Sequence, residues 1–469
     1  MPEGLEDRLP VVGAMAGLTT MTTRERTWSS RIVFLLAAIG AAIGLGNIWK
    51  FPYEAGVSGG GAFVLVYLLC VFLVAIPILV AELFIGRAGG GSPPLAAGAL
   101  ARSQGRASAW AGVGWMGVLV SFIVVSFYSV IAGWALGYIV RAPSGFAGDP
   151  GENFAAFLSN PWELMFWQLV ILAVSVGIVA GGIRRGVERA VKVLMPSLAV
   201  MLVVLIACAA IVGDFAAGAR FLFAVDFSKV SAEVVLEAIG QAFFSVGVAG
   251  GLMMAYGAYM PKDVPLASSS LVIGSADTCV ALLAGFMIFP LVFAFALDPA
   301  EGPGLIYVSL PYAFQAMPAG GFVGALFFTL LAFAAVTTVI AALEPVVAYG
   351  EDRFSLSRPV ICAVSGALLF IIGLGTVFSF SIWSHIKPLA AIEMFANHTI
   401  FDLLDYSVTN VLMPLGGVLI AVFVGWRVKP EDLRAEFGES GGRAFWLWLQ
   451  LIRYVAPAAI LAVFWVNVK

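Results

Sequence analysis

Gly44-Leu45-Gly46, followed at once by Asn47, interrupts an apolar stretch long enough to cross a membrane, and Gly247-Val248-Ala249-Gly250-Gly251 interrupts another. Inside hydrocarbon an unpartnered backbone N–H or C=O is costly, so such breaks are tolerated where something polar meets the bared groups. Half-helix N-termini favour an anionic group and freed carbonyls favour a cation. Together they suit a zwitterion accompanied by small metal cations. A single break reads equally well as a close helix crossing; two at corresponding places point to a site. Asp277 lies within IGSADTCVALLAGFMIFP, and a carboxylate at membrane depth marks function by default. The hydroxyls of Thr337 and Thr338 in AAVTTVIAALEP either bond back to their own helix or offer oxygen to an alkali ion.

The elements that must hold these residues are membrane helices. Of 469 residues, 61% are hydrophobic and 11% charged, and the mean hydropathy is +1.01. A soluble globule of this size would need more polar surface. A span takes roughly 20 apolar residues and must satisfy its backbone internally. Runs of that kind predict eleven helices near 31–54, 62–86, 109–140, 165–182, 187–212, 234–260, 266–297, 321–350, 357–378, 400–427 and 444–467. The 298–320 loop is apolar enough for short re-entrant or surface helices. The breaks fall in the first and sixth spans, and an odd number of spans per half inverts the second half. The expected architecture is therefore an all-α membrane protein with a five-plus-five inverted repeat.

Lys and Arg are retained on the cytoplasmic side. With the N-terminus inside, the outer loops keep only Arg141, Arg220, Lys229 and Lys387, so the N-terminus is expected in the cytoplasm and the C-terminus outside. MPEGLEDRLP lacks the layout of a cleaved signal, and Met21 offers a second start. Cys70, Cys208, Cys279 and Cys362 lie in apolar runs and suggest neither a disulfide framework nor a metal site. No basic patch suggests nucleic acid as a partner.

GAAIGLGNIWKFPYEAGVSGGGAF (40–63) resembles the first-helix signature of the neurotransmitter:sodium symporter family, which shares the leucine-transporter fold. IGRAGG (85–90), GQAFFSVG (240–247) and AAVTTVIAALEP (334–345) follow in the family's order, and the resemblance runs from Trp28 almost to the end. The family's usual twelfth helix is missing, as in an eleven-helix bacterial branch. The resemblance implies a tail over 1–27, a ten-helix transport core over 28–427, and a linker with the eleventh helix over 428–469. It places the protein in the inner (plasma) membrane.

Two sodium sites are implied. The first takes the carbonyl of Ala42, the side chains of Asn47, Ser245 and Asp277, and a substrate carboxylate. The second takes the carbonyls of Gly40, Ile43 and Ala334 with the hydroxyls of Thr337 and Thr338. Chloride-dependent relatives carry Asn where Asp277 stands, so chloride-independent transport is expected. Glu82 matches the carboxylate that holds the unwound sixth helix, while Glu344 carries no assignment.

Gly44 stands where monoamine transporters place an aspartate, which leaves room for a substrate carboxylate. The implied contacts are the N–H groups of Leu45 and Gly46 with the Tyr128 hydroxyl for the carboxylate, and the carbonyls of Ala42, Phe244 and Ser245 for the ammonium. From the residues alone, Tyr128 reads as packing or as binding. Val124, Phe244, Gly247, Gly250, Val339 and Ala342 are placed around the substrate side chain. Gly250 and Ala342 are small there, which favours a bulky apolar amino acid, although GVAGG departs from the commoner pattern. Lys50 and Asp405 are the implied outer gate, with lysine unable to copy an arginine fork. Trp28, Tyr259 and Asp352 are the inner gate, with Arg24 or Arg26. Gly186 and Pro196 reproduce the spacing of a fifth helix that opens locally.

The expected function is sodium-coupled import of a neutral, hydrophobic or aromatic L-amino acid, with betaine or a GABA-like acid as alternative zwitterions. Outside transport, Gly56-Val57-Ser58-Gly59 resembles an intramembrane protease motif, but its serine needs a base and only His385 and His398 exist, both in a loop. A channel needs a continuous polar pore; a sensor of the same fold would keep the binding residues without turnover.

Overall fold

The computed structural model describes residues 27–300, 304–437 and 442–467, the last five as backbone. Arg24, Arg26 and Met21 lie outside the described residues. No strand occurs among the described residues. Among the described residues nine helices are long and apolar enough to cross a membrane, from Gly61–Gly89 to Gly442–Ala462, and the bent pair Arg31–Ala42 and Gly46–Val57 makes a tenth. The sixth span is Ala232–Val246 followed by Leu252–Ala258, whose second half has only seven residues.

The third span, Ser108–Ser144, and the eighth, Gly320–Arg353, pack along most of their lengths. The first half of the first span lies against the fifth (Ile183–Val212), seventh (Leu266–Ala294) and eighth spans. The second half of the sixth packs on the second span, Gly61–Gly89, where a Cβ on Gly257 would meet the Leu83 carbonyl at 2.6 Å. Both broken helices are thus enclosed by continuous ones, which supply some of the polar groups the breaks require.

Pro196 sits inside helix Glu188–Val212, and Gly186 lies in the widened turn Ile183–Val187 that precedes it. The 298–320 loop contains the widened turn Leu305–Ser309 and helix Leu310–Ala316. Four further helices, Pro93–Ser103, Pro150–Ser159, Phe215–Phe223 and Pro430–Phe437, lie between spans. Two have side-chain caps, Asp149 accepting from Glu152 N and Asp214 from Ala217 N.

Candidate substrate and ion site between the broken helices

The first helix ends at Ile43, whose ψ of 111° leaves the helical region. Three side chains then receive the bared backbone. Gly44 N donates to Asn47 Oδ1 (3.0 Å), Leu45 N donates to the Tyr128 hydroxyl oxygen (2.9 Å), and Gln241 Nε2 donates to Gly46 O (2.8 Å). Gly44 is tightly enclosed: a Cβ there would stand 2.6 Å from Thr338 Oγ1 and 2.8 Å from the Tyr128 oxygen.

The sixth span stops at Gly247 (φ 67°) and resumes after Gly251 (φ 73°), with Ala249 between them at φ 66°. Left-handed backbone is easy for glycine but strained for alanine, by about 1–3 kcal/mol in sparsely populated regions. Surrounding contacts hold the segment. Gly251 N donates to the buried carboxylate of Glu82 (3.4 Å), and Ser121 donates to Gly250 O (2.6 Å).

Between the breaks lies a cavity to which the first, third, sixth, eighth and tenth spans contribute. Ala42, Gly44 and Gly46 face it from the first break, Val124 and Tyr128 from the third span. Phe244, Gly247 and Gly250 close it from the sixth span, and Thr338 and Ala342 from the eighth. None of the lining residues is charged. Val339 is fully buried and is not among the lining residues. Leu45 instead lines a neighbouring cavity with Trp49, Trp134 and Asp405; Tyr128 and Phe244 line both cavities and form the wall between them.

Beside the cavity, Asn47 Nδ2 donates to Asp277 Oδ1 (2.7 Å) and Ser245 Oγ (2.9 Å), while Ser245 Oγ donates to Asp277 Oδ2 (2.7 Å). The Tyr67 hydroxyl completes the group, donating to Ser245 Oγ at 3.1 Å. Asn47, Tyr67 and Asp277 are fully buried, and Ser245 is 1% exposed. Across the first span, Thr338 Oγ1 lies within hydrogen-bond reach of Ile43 O (3.3 Å) and Ala334 O (3.2 Å). Thr337 Oγ1 bonds back to Ala334 O at 2.9 Å, and a Cβ on Gly40 would meet Thr337 Cβ at 3.7 Å. Apart from the Asn47 amide nitrogen, these groups present hard oxygens, the ligand type of alkali ions. Among the described residues no three His, Cys, Asp or Glu side chains gather as a transition metal would require.

At the Lys50 end, Lys50 and Asp405 line the same cavities without closing an ion pair; Lys50 Nζ stands 4.8 Å from the centre of the Phe244 ring. At the other end Trp28 is buried, its indole donating to Tyr256 O (3.2 Å) and its backbone N to Tyr259 O (3.1 Å). Tyr259 and Asp352 have separate hydrogen-bond partners. Asp352 accepts from Ser92 N (2.8 Å), and the Tyr259 hydroxyl donates to Glu344 (3.0 Å). Glu344 is held by Arg358, a pairing that sequence reasoning missed. Gln241, Tyr67 and Ser121 were also missed. Gln241 stands inside the quoted GQAFFSVG, whereas nothing local marks the other two.

The family model described as the sodium:neurotransmitter symporter family matches residues 24–145 and 158–469. An uncharacterized sodium-dependent transporter of Bacillus subtilis is 38% identical over 93% of this chain and 96% of its own length. The bovine sodium-dependent dopamine transporter is 24% identical, covering 95% of this chain and 69% of its own. The crystal structure of MhsT in complex with L-phenylalanine superposes with a TM-score of 0.85 at 39% identity, covering 94% of this chain and 99% of that one. These similarities belong to transporters, not to enzymes, and they run through the spans that carry both breaks. The chain is a multi-pass, sodium-dependent symporter of the sodium:neurotransmitter symporter family.

Proposed function

We propose that this symporter imports a neutral, hydrophobic or aromatic L-amino acid together with sodium, and does so without chloride. The observation that carries the reading is the uncharged cavity at Gly44, flanked by the peptide groups of the first break at one end and by the Asn47 amide with the Ser245 and Asp277 oxygens beside it. The substrate carboxylate takes the N–H groups of Leu45 and Gly46 and the Tyr128 hydroxyl. The ammonium takes the carbonyls of Ala42, Phe244 and Ser245. The bound L-phenylalanine of the MhsT structure supports this class of guest.

The first ion takes Asn47, Ser245, Asp277, the Ala42 carbonyl and the substrate carboxylate. In the structure the Asn47 amide offers Oδ1 to Gly44 N and Nδ2 to Asp277, so taking the ion requires the amide to turn over and release Gly44 N. Because ion and carboxylate share ligands, each raises the affinity of the other by the same factor. The second ion takes Gly40, Ile43, Ala334, Thr337 and Thr338 and holds the first and eighth spans together in the outward-facing state. Asp277 supplies a fixed negative charge beside the first ion, which removes the need for an anion. The N-terminus is cytoplasmic, with Trp28, Tyr259 and Asp352 at the inner gate and Lys50 and Asp405 at the outer one.

The test is a thermal-shift or radioligand screen of the twenty amino acids, betaine and GABA against the purified transporter in sodium and in potassium. Stabilisation by leucine, phenylalanine or tryptophan in sodium alone supports the reading. Equal binding in potassium, or a preference for betaine or GABA, overturns it. Uptake that collapses when gluconate replaces chloride removes the chloride-independent part.

A further inference from the structure

Most membrane-buried hydroxyls in this chain bond back to their own helix, as Ser126, Ser270 and Thr329 do to carbonyls three or four residues earlier. Ser121 does not. Its hydroxyl leaves the third span and donates across to Gly250 O at 2.6 Å. The cause is a backbone contact one turn earlier: a Cβ on Gly117 would stand 2.6 Å from Gly251 Cα, so helix and unwound segment meet without side chains between them.

Ser121 and Gly250 are both buried and both line the central cavity. Tyr128, which receives Leu45 N, lies seven residues further along the same face, about 10 Å along the axis. The cavity is therefore polar at two ends, with Val120, Val124 and Ala342 along its length. The two ends differ in kind. Ser121 has committed its one proton to Gly250 O, so its oxygen retains only lone pairs, and the carbonyl retains a second one. This end accepts and does not donate.

We propose that the Ser121 hydroxyl and the Gly250 carbonyl form a specificity-determining acceptor for a donor on the substrate ring, so that amino acids with a ring N–H or O–H are preferred over plain hydrocarbon rings. The inference rests on the reading that the cavity takes a hydrophobic or aromatic L-amino acid, and it narrows that class to tryptophan and tyrosine. A hydrocarbon ring leaves the acceptor pair unmatched, whereas an indole N–H extends it into a chain running from ligand to Ser121 to Gly250. Sites built around such a bond discriminate against the analogue that lacks it.

The experiment compares sodium-dependent binding of L-tryptophan with its benzothienyl isostere, in which sulfur replaces the ring N–H, and of L-tyrosine with L-phenylalanine. Wild-type protein should favour the donor-bearing member of each pair by about three- to tenfold, the equivalent of one net hydrogen bond. In Ser121→Ala the same ratios should shrink. Equal affinities within each pair in wild-type protein overturn the inference, as do ratios that Ser121→Ala leaves unchanged. Should the variant not fold, the wild-type pairs decide alone. Failure of every amino acid to bind in sodium would instead remove the underlying reading, and this inference with it.

Discussion

The Arg358 guanidinium closes on the Glu344 carboxylate in a two-point contact, Nη2 to Oε2 at 2.5 Å and Nη1 to Oε1 at 3.2 Å, between the eighth and ninth spans. Their side chains are 6% and 0% exposed, so water stabilises neither charge alone. Arg358 also donates to Glu351 (2.8 Å) and to Val179 O in the fourth span (2.8 Å), and Glu344 receives the Tyr259 hydroxyl.

This network predicts an asymmetric mutational response. Removing one partner of a buried pair leaves an uncompensated charge, at a cost of about 3–5 kcal/mol, whereas replacing both with apolar residues of similar volume is often close to neutral. Arg358→Ala should therefore lower thermal stability in detergent strongly. The double change Glu344→Leu with Arg358→Met, both apolar and of similar volume, should recover most of the loss. A double variant as unstable as the single one would show that the pair is needed for more than charge balance.

Gly44→Ala should weaken sodium-dependent substrate binding by about tenfold or more, because its methyl would crowd the Tyr128 and Thr338 oxygens at 2.8 and 2.6 Å. Equilibrium binding of labelled amino acid in sodium measures this. Unchanged affinity would move the carboxylate end of the site away from the first break.

Asp277→Ala should abolish sodium-dependent binding, since it removes the carboxylate that Asn47 and Ser245 both meet at 2.7 Å. Titration of sodium at fixed substrate measures the effect, with potassium as control. Retention of the wild-type sodium dependence would take Asp277 out of the ion site.

Gly250 and Gly251 should respond in opposite ways. A Cβ on Gly250 finds nothing nearer than 3.6 Å, so Gly250→Ala should fold and simply narrow the cavity, costing bulky substrates about tenfold relative to leucine. Gly251 has φ 73°, and its Cβ would meet the Gly117 backbone at 2.9 Å, so Gly251→Ala should destabilise the protein itself. Competition binding and thermal unfolding separate the two effects.

The short helices between spans escaped the sequence reading because hydropathy registers long apolar runs. Pro93–Ser103 and Pro430–Phe437 are short and mixed in polarity, and they are held by docking against the spans. The second of these is tied to the second span by an ion pair between Arg87 and Glu436 and by a hydrogen bond that the Arg87 guanidinium donates to Glu436 O. Such a pairing spans most of the chain and leaves no local trace.

The sequence by itself determined the apolar spans, the two glycine breaks and the residue types around them, because hydrophobicity and helix interruption are properties of neighbouring residues. It also identified Asn47, Ser245 and Asp277 as a group, through motifs rather than geometry. The tertiary structure decided where each bared peptide group goes: Gly46 O to Gln241, Leu45 N to Tyr128, Gly250 O to Ser121. It likewise put Lys50 over Phe244 and Tyr259 on Glu344. A buried polar group must find a partner, but which distant side chain serves depends on how closely two helices approach. At Gly117 and Gly251 that approach is set by the packing of the whole bundle.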